Sequence, residues 1–533
     1  MQPHKIIVIS GPVSSGKTSL AHNITAEFNA HLIKTREILV KRGISSTDRL
    51  SLQKEGDKLD IETKGRWVLD GLTTEVNQTK EPTTFVIDSV RIIEQVEHIR
   101  KAYGHGHVVH VHLKAPAEEL EKRYALRFKG KKEISSYKKI GQNVTEKNIG
   151  ELEKYADVVI DTNRCIEKDV FVRAASRISL YQKNSTGYVD VIIGGQYGSE
   201  GKGQIVAHIA KEYDLLVRIG GPNAGHTVYV DPMPYTHHQL PSGTLKCNAR
   251  LLLGPGMVIN VDKLLEEISQ CGVERERLTV DPHAIIITDD DIKNEAQLKA
   301  DIGSTGQGVG HATARKILER NTKTKLAKDI AELKPYLGNA LDLLSKTLSR
   351  NGRVLLEGTQ GTGLSIHHGH YPYVTSRDTT VSGCLAEAGL SPASIRRIIM
   401  VCRTYPIRVE SPEGATSGPM SQEISFKEIS GRSGISLGEL EKNERTSTTH
   451  RKRRIGEFDW DLIRKAAFLN GPTDIALTFV DYINIKNRQA KRFEQLTDDT
   501  INLIEEIEHV TRAKISLIAT GFNSRSIIDR RDW

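Results

Sequence analysis

GGQYGSEGKG occupies Gly194–Gly203. A short apolar run, Val189 to Ile193, precedes it, and QIVAHIAKEY, with helical spacing, follows the Gly203 end. Strand, glycine turn and helix is the order in which a chain builds a phosphate cradle. Loop amides and the positive end of the helix dipole then face one anion. The stretch departs from the ordinary P-loop: Gln196 stands five residues before Gly201, and Gly203, not Ser or Thr, follows Lys202. An ordinary P-loop lies elsewhere in the chain. GPVSSGKT, Gly11–Thr18, fits G-x-x-x-x-G-K-[ST] between the apolar run Lys5–Ile9 and the helical LAHNITAEF.

Two such openings predict two α/β nucleotide-binding domains, each around a mostly parallel sheet flanked by helices. The chain has 533 residues, too many for one core. The polar segment YQKNSTGY, Tyr181–Tyr188, is the expected join, giving domains 1–183 and 188–533. Before it, KIIVIS, TFVIDS, HVVHVHL and ADVVID alternate with helical patterns in the rhythm of a parallel sheet.

Composition narrows the function. There is no apolar stretch of membrane-spanning length, and MQPHKIIVIS lacks a signal-peptide layout, so a cytoplasmic protein without membrane contact is expected. Five scattered cysteines without a C-x-x-C pair fit reduced thiols. A net charge of +8 fits anionic ligands. Nucleic acid is not expected as a partner, because aromatics are only 5% and the basic residues cluster in ligand loops.

In the first half, the amides of Gly11–Ser19, with Gly16 at the turn, would hold phosphates, Lys17 would reach the β/γ oxygens and Thr18 would ligate Mg²⁺. Asp88, ending the strand TFVID, is placed for the metal's water shell or as a helix N-cap, and Arg91 follows it. Arg123 and Arg127 share one helical face, suited to closing over a transferring group or to facing solvent. Arg36 and Arg49 are further candidates for an acceptor phosphate. His110 and His112 in HGHVVHVH would share one side of a strand, and an ordinary His-rich strand is the better reading than a metal site. This half resembles nucleoside monophosphate kinases, loosely beyond the P-loop.

In the second half, GSEGKG is followed in order by RIGGPNAGHTV, LPSGTL, GPGMVIN, STGQGVG, LLEGTQGTGLSI, YPYVTSRDTT, TSTTHRKRR, LTFVDY and IATGFNSRSI. Taken together they resemble adenylosuccinate synthetase from Tyr188 to about Asp529. The resemblance implies a ligase in which O6 of a purine mononucleotide takes the γ-phosphate of ATP or GTP. The amine of L-aspartate then displaces that phosphate. It implies Mg²⁺ and a homodimer.

It also implies the parts. Gly198, Glu200, Gly201, Lys202 and Gly203 would hold the donor's phosphates, with Lys202 catalytic. His226 would stabilise charge on the phosphoryl group, and the Gly225 carbonyl, with Ser199, would meet Mg²⁺. Asn223, Thr305, Gln360 and Thr375 match purine-monophosphate contacts, and Thr448, Thr449 and Arg451 match the aspartate loop. Arg453 would lie nearer phosphates and ribose, Asp481 would read guanine, and Thr520 and Gly521 would flank that base. HHGHYP alone suggests zinc, but in this order it resembles a loop beside the purine.

Three positions depart from the family pattern. Ser199 replaces the aspartate that serves as N1 base and metal ligand. A short hydroxyl leaves room for the 2-amine of guanine, and the same substitution marks the 2-aminodeoxyadenylosuccinate synthase branch, which acts on dGMP. Phe479 replaces a lysine and Phe522 a proline beside the donor base, so guanine selectivity is expected to relax toward ATP. The family's cross-subunit arginine could be Arg315 or Arg320. The expected activity is therefore ligation of aspartate to (d)GMP, with a nucleotide kinase activity in the first half. The alternatives are an ordinary ligase on IMP and a nucleotide-sensing protein with a non-catalytic ligase half.

Overall fold

The computed structural model describes residues 5–42, 49–79, 83–127, 137, 149–180, 188–229, 233–321, 323–445, 451–522 and 526–532. Its contacts divide the chain into two units, Met1–Gln182 and Lys183–Trp533. The expected join at Tyr181–Tyr188 lies, up to residue 187, outside the described residues.

The first unit holds a five-stranded sheet in the order β2-β3-β1-β4-β5, where β1 is Lys5–Ser10, β2 His31–Lys34, β3 Thr84–Asp88, β4 Val108–Lys114 and β5 Val158–Asp161. Every pairing is parallel. Ile6 and Val8 of β1 join one core, with Trp67, Val68 and Leu72 of the helix Arg66–Gln78. Ile7 and Ile9 join the opposite core, with Leu20 and Ile24 of the helix Lys17–Phe28 and Ala174 of the helix Glu167–Arg177. Helices thus cover both faces, which is why the strands read as unbroken apolar runs rather than alternating ones.

The second unit is built on a nine-stranded sheet. In chain order its members are β6 (Val189–Gly194), β7 (Leu215–Arg218), β10 (Arg250–Leu253), β12 (Leu278–Val280), β14 (Val354–Gly361), β15 (Ile395–Arg403), β19 (Asp474–Thr478), β20 (Lys514–Ala519) and β21 (Ile527–Asp529). Three small sheets complete the unit: β8 (His226–Tyr229) with β9 (Pro234–His237), β11 (Val258–Ile259) with β13 (Ile285–Ile286), and β16 (Ile407–Val409), β18 (Arg453–Gly456) and β17 (Glu423–Ile424).

The large sheet runs β12-β10-β7-β14-β6-β15-β19-β20-β21, and only the edge pair β20–β21 is antiparallel. Val189, Val191 and Ile193 of the central β6 face a core shared with the helices Trp460–Asn470 and Asp498–Thr511, and Ile192 faces one shared with Lys202–Ile209 and Val261–Gln270. Because β6, β7, β14, β15, β19 and β20 are parallel, their C-terminal ends fall along one edge. That edge is where open α/β sheets place their ligands. Among the described residues no helix is long and apolar enough to cross a membrane.

Candidate active site

The glycine loop leaves β6 at Gly194 and enters the helix Lys202–Ile209. Gly198 turns it at φ +100°, and a Cβ there would press on the Gln360 backbone at 3.3 Å, so the loop lies directly on the end of β14. Gly203 comes close to β8 in the same way, since a Cβ would sit 3.1 Å from His226 Cβ. Sequence-distant groups are thereby drawn around one loop.

Within the loop, Glu200 turns inward. Its Oε1 accepts from the amides of Gln196 (3.0 Å) and Gly198 (2.6 Å), and its Oε2 pairs with Lys202 Nζ at 2.8 Å. Lys202 also donates to the Gly198 carbonyl at 3.1 Å. Both side chains are almost fully buried. Burial pushes the Glu200 carboxyl up, but Lys202 and the Gly198 amide outweigh it and the net shift is downward. Ser199 is half-buried, and its carbonyl accepts from Arg403 at 3.3 Å.

Beside the loop, His226 Nδ1 donates to Glu357 Oε1 at 2.5 Å, and Nε2 lies 2.9 Å from the Thr359 carbonyl. Glu357 also accepts from the Ser242 amide at 2.8 Å and hydroxyl, and pairs with Arg218 at 2.6 Å. Burial and the Arg218 guanidinium drive the His226 ring down to about 4, against the pull of Glu357. The Glu357 carboxylate is correspondingly held far below the usual range. Nδ1 faces the Glu357 carboxylate and, at 2.8 Å, an Arg218 N–H, while Nε2 faces a carbonyl, so Nε2 can engage a phosphoryl oxygen only as an N–H donor, with the ring protonated there.

The nucleotide candidates surround these groups. Gln360 is buried and accepts from the Thr359 hydroxyl. The Asn223 side-chain oxygen is buried without a partner, next along the chain from Gly225 and His226. Thr375 donates its amide to Leu364 at 2.8 Å. Thr305 begins a glycine loop that Glu295 holds from below, through the amides of Gly308 (2.7 Å) and Gly310 (2.5 Å). Arg451 is half-buried, while Thr448 and Thr449 lie outside the described residues.

Arg453 is held by Glu444, Nη1 to Oε2 at 2.9 Å. Glu444 Oε1 also takes Arg403 at 2.7 Å and the Tyr482 hydroxyl at 2.8 Å. Phe479 lies under Arg403, 4.0 Å from guanidinium to ring centre, and meets Phe522 edge-on at 5.3 Å. Asp481 is fully buried and bonded to Arg488 Nε at 2.9 Å. Thr520 is buried, and the Gly521 carbonyl accepts from Gln204 at 2.8 Å. Of the two arginines considered for a neighbouring subunit, Arg315 is clasped by Asp291 at 2.8 Å and by the Ile286 carbonyl, whereas Arg320 is exposed.

In the first unit, Gly11 and Gly16 have φ of +140° and +96°, and Lys17 folds onto the Gly11 and Pro12 carbonyls at 2.7 and 2.8 Å. Thr18 is exposed, and Ser19 donates to Glu167 rather than to the loop. Asp88 is buried at the end of β3, and the Arg91 amide donates to Gln95 Oε1 at 2.8 Å. Arg123 lies on the helix Ala117–Arg127. Its guanidinium is spent on Glu119 at 2.8 Å and on Thr162 at 2.9 and 2.8 Å. The side chain of Arg127 and that of Arg49 lie outside the described residues, and Arg36 is exposed. His110 and His112 do share one side of β4, where both ring nitrogens meet the Ser10 hydroxyl at 2.7 and 2.9 Å.

A family model for adenylosuccinate synthetase matches residues 191–329 and 319–488. The chain belongs to the adenylosuccinate synthetase family. The adenylosuccinate synthetase of Methanocaldococcus jannaschii is 38% identical over 64% of this chain and 96% of its own length. That of Pyrococcus horikoshii is 35% identical over 64% and 98%. Among solved structures, the cyanophage S-2L succinoaminodeoxyadenylate synthetase, bound to dGMP and to dATP as an energy donor, is 28% identical with a TM-score of 0.55. It spans 65% of this chain and 96% of that one. The fully ligated Plasmodium falciparum adenylosuccinate synthetase shares the fold, with a TM-score of 0.54 at 24% identity over 65% and 100%.

The residues that the family model matches lie within the second unit. Within the synthetase portion, sequence reasoning passed over Glu357, Arg218, Ser242, Glu444, Arg403 and Arg488. Glu357 stands in the quoted LLEGTQG, and an acid on a buried strand end was the available signal.

Proposed function

We propose that the second unit joins L-aspartate to C6 of a guanine mononucleotide, GMP or dGMP, at the expense of a nucleoside triphosphate. We propose also that the first unit is a nucleotide kinase. The single observation that carries the acceptor reading is Ser199, a neutral hydroxyl where an aspartate is expected, on a loop whose remaining machinery is intact. The likeness to the S-2L enzyme, with its bound dGMP, supports it.

In this reading guanine N1 loses its proton to solvent, the O6–Pγ bond forms as the donor's Pγ–O bond breaks, and the nucleoside diphosphate leaves. The aspartate nitrogen then bonds C6, the C6–O bond breaks with phosphate as leaving group, and the nitrogen loses its proton. His226 Nε2 and Lys202 stabilise the charge that builds on the transferring phosphoryl. Ser199 accepts a hydrogen bond from the purine 2-amine, and Arg451 takes a carboxylate of aspartate. Mg²⁺ fits the oxygen-only donors Ser199 and Gly225, and Thr18 in the first unit. These are neutral donors, so the nucleotide phosphates supply most of the opposing charge. The bound ion would neutralise the donor's phosphates. A homodimer completes the proposal, with Arg320 as the exposed candidate for the neighbouring site.

The test is a panel of IMP, GMP, dIMP and dGMP, each with aspartate and ATP or GTP, read by mass spectrometry. A succinyl adduct on a guanine nucleotide in preference to IMP supports the reading. Turnover of IMP alone returns the enzyme to the reaction its relatives are named for.

A further inference from the structure

The donor-base end of the second unit carries a contact that the family resemblance does not foretell. Asp481, expected to read guanine, sits in the turn Val480–Tyr482 directly after β19. β19 is tied to the phosphate loop, since Thr478 Oγ1 donates to the Glu200 carbonyl at 2.7 Å and a Cβ on Gly201 would lie 3.6 Å from the Phe479 ring. The turn therefore stands where a base follows its phosphates. Phe479, Phe522 and Tyr229 form a continuous aromatic wall there, with ring centres 5.3 and 5.7 Å apart.

A carboxylate distinguishes guanine from adenine by accepting two donors at once, the N1–H and the 2-amine. Asp481 has already given Oδ2 to Arg488 Nε at 2.9 Å, and Glu439 fixes Arg488 from the far side at 2.7 Å. Its other oxygen, Oδ1, is buried with no partner. The guanidinium thus holds one of the two oxygens that guanine would need. A single remaining oxygen can serve adenine's 6-amine as well as either guanine donor.

We propose that Arg488 withholds Asp481 from a two-point grip on the donor base, so that the second unit accepts adenine and guanine nucleoside triphosphates alike. Selection then falls to stacking against Phe479 and Phe522, which does not distinguish purines strongly. The inference rests on the ligase reading above.

The experiment uses the full-length protein. Donor KM and kcat are measured for ATP and GTP with saturating aspartate and whichever purine monophosphate turns over. Binding of ATP and GTP is measured separately by calorimetry. The native protein is expected to show ATP and GTP efficiencies within about fivefold. Arg488→Met releases Oδ2 but lets burial lift the carboxyl further above about 6, so at about pH 8.5 or higher KM and Kd for GTP should fall about tenfold while those for ATP stay within about twofold. Arg488→Lys, which keeps a cation on Asp481, should keep the native ratio, and Arg488→Gln, a neutral N–H donor, should lie between. A native preference for GTP above about tenfold, or an unchanged ratio in a folded Arg488→Met protein, overturns the proposal. If no acceptor turns over, the ligase reading fails by itself, and the two binding ratios still decide this one.

Discussion

The Glu357 carboxylate and the His226 ring meet at 2.5 Å, and the same carboxylate collects Arg218 and Ser242. Arg218, Ser242 and Glu357 therefore hold one imidazole, with Nδ1 turned to the carboxylate. A phosphoryl oxygen arriving at Nε2 adds negative charge to a ring now held near 4, and that raises its pKa. Nucleoside triphosphate binding should accordingly take up protons near pH 6. Calorimetry in buffers of different ionisation enthalpy measures this, and His226→Gln should remove the uptake. Uptake unchanged in that variant would place the proton elsewhere.

Removing the His226 ring should cost rate more than affinity. His226→Ala is expected to lose roughly 2–4 kcal/mol of transition-state stabilisation, seen in kcat with donor KM little changed. Glu357→Gln keeps the shape but can present an amide to Nδ1, so kcat should drop at least about tenfold and its pH profile should shift. A near-native kcat in either variant contradicts the assigned roles.

Ser199→Asp places a carboxylate where the proposal has room for a 2-amine. The acceptor preference should swing from guanine nucleotides toward IMP, through a rise in KM for GMP and dGMP. Competition between IMP and dGMP, followed by mass spectrometry, reads the swing directly. A variant that still prefers dGMP shows that another residue sets the choice.

The two phosphate loops should be separable. Lys17→Ala should abolish conversion of a monophosphate to a diphosphate and leave succinyl transfer intact, and Lys202→Ala should do the reverse. If Lys17→Ala silences both, the first unit governs the second instead of catalysing a step of its own.

Glu444 binds two arginines and a tyrosine hydroxyl out of water. Glu444→Ala should destabilise the second unit by about 3–5 kcal/mol, because it strands buried charge. Burial pushes this carboxyl up, but Arg403 and Arg453 prevail and set it at about 2, below its ordinary 4.5. A depressed acid stabilises fully above the unfolded value. Stability should therefore be lost as the pH falls from about 4.5 toward 2. Thermal melts across that window should show a shallower loss for Glu444→Gln.

What the sequence disclosed follows from burial. β1, β3, β4 and β6 are covered on both faces, so each appears as a largely apolar run bounded by polar residues. β2, HLIK, lies at the sheet edge with an exposed first residue and offers no such run. The glycine loops were legible because their backbone shapes demand glycine. The His226 support was not, since residues 218, 226, 242 and 357 meet only through the order of parallel strands. Glu444 looks like one more charge in ELEKNE, and only the fold reveals its arginines. The Arg123–Glu119 pair was legible, because Glu119 lies one helical turn before it on the same face.

Glu200 and Lys202 give the glycine loop an internal ion pair. The cradle does not wait as a bare patch of positive potential that any passing anion could satisfy. An incoming group must draw Lys202 away from a carboxylate that it already touches, and free phosphate or sulfate offers little to repay that exchange. A triphosphate with its metal brings several contacts at once and can. On the proposed function the loop would act as a threshold, answering a long ligand that makes several contacts better than a small anion that makes one.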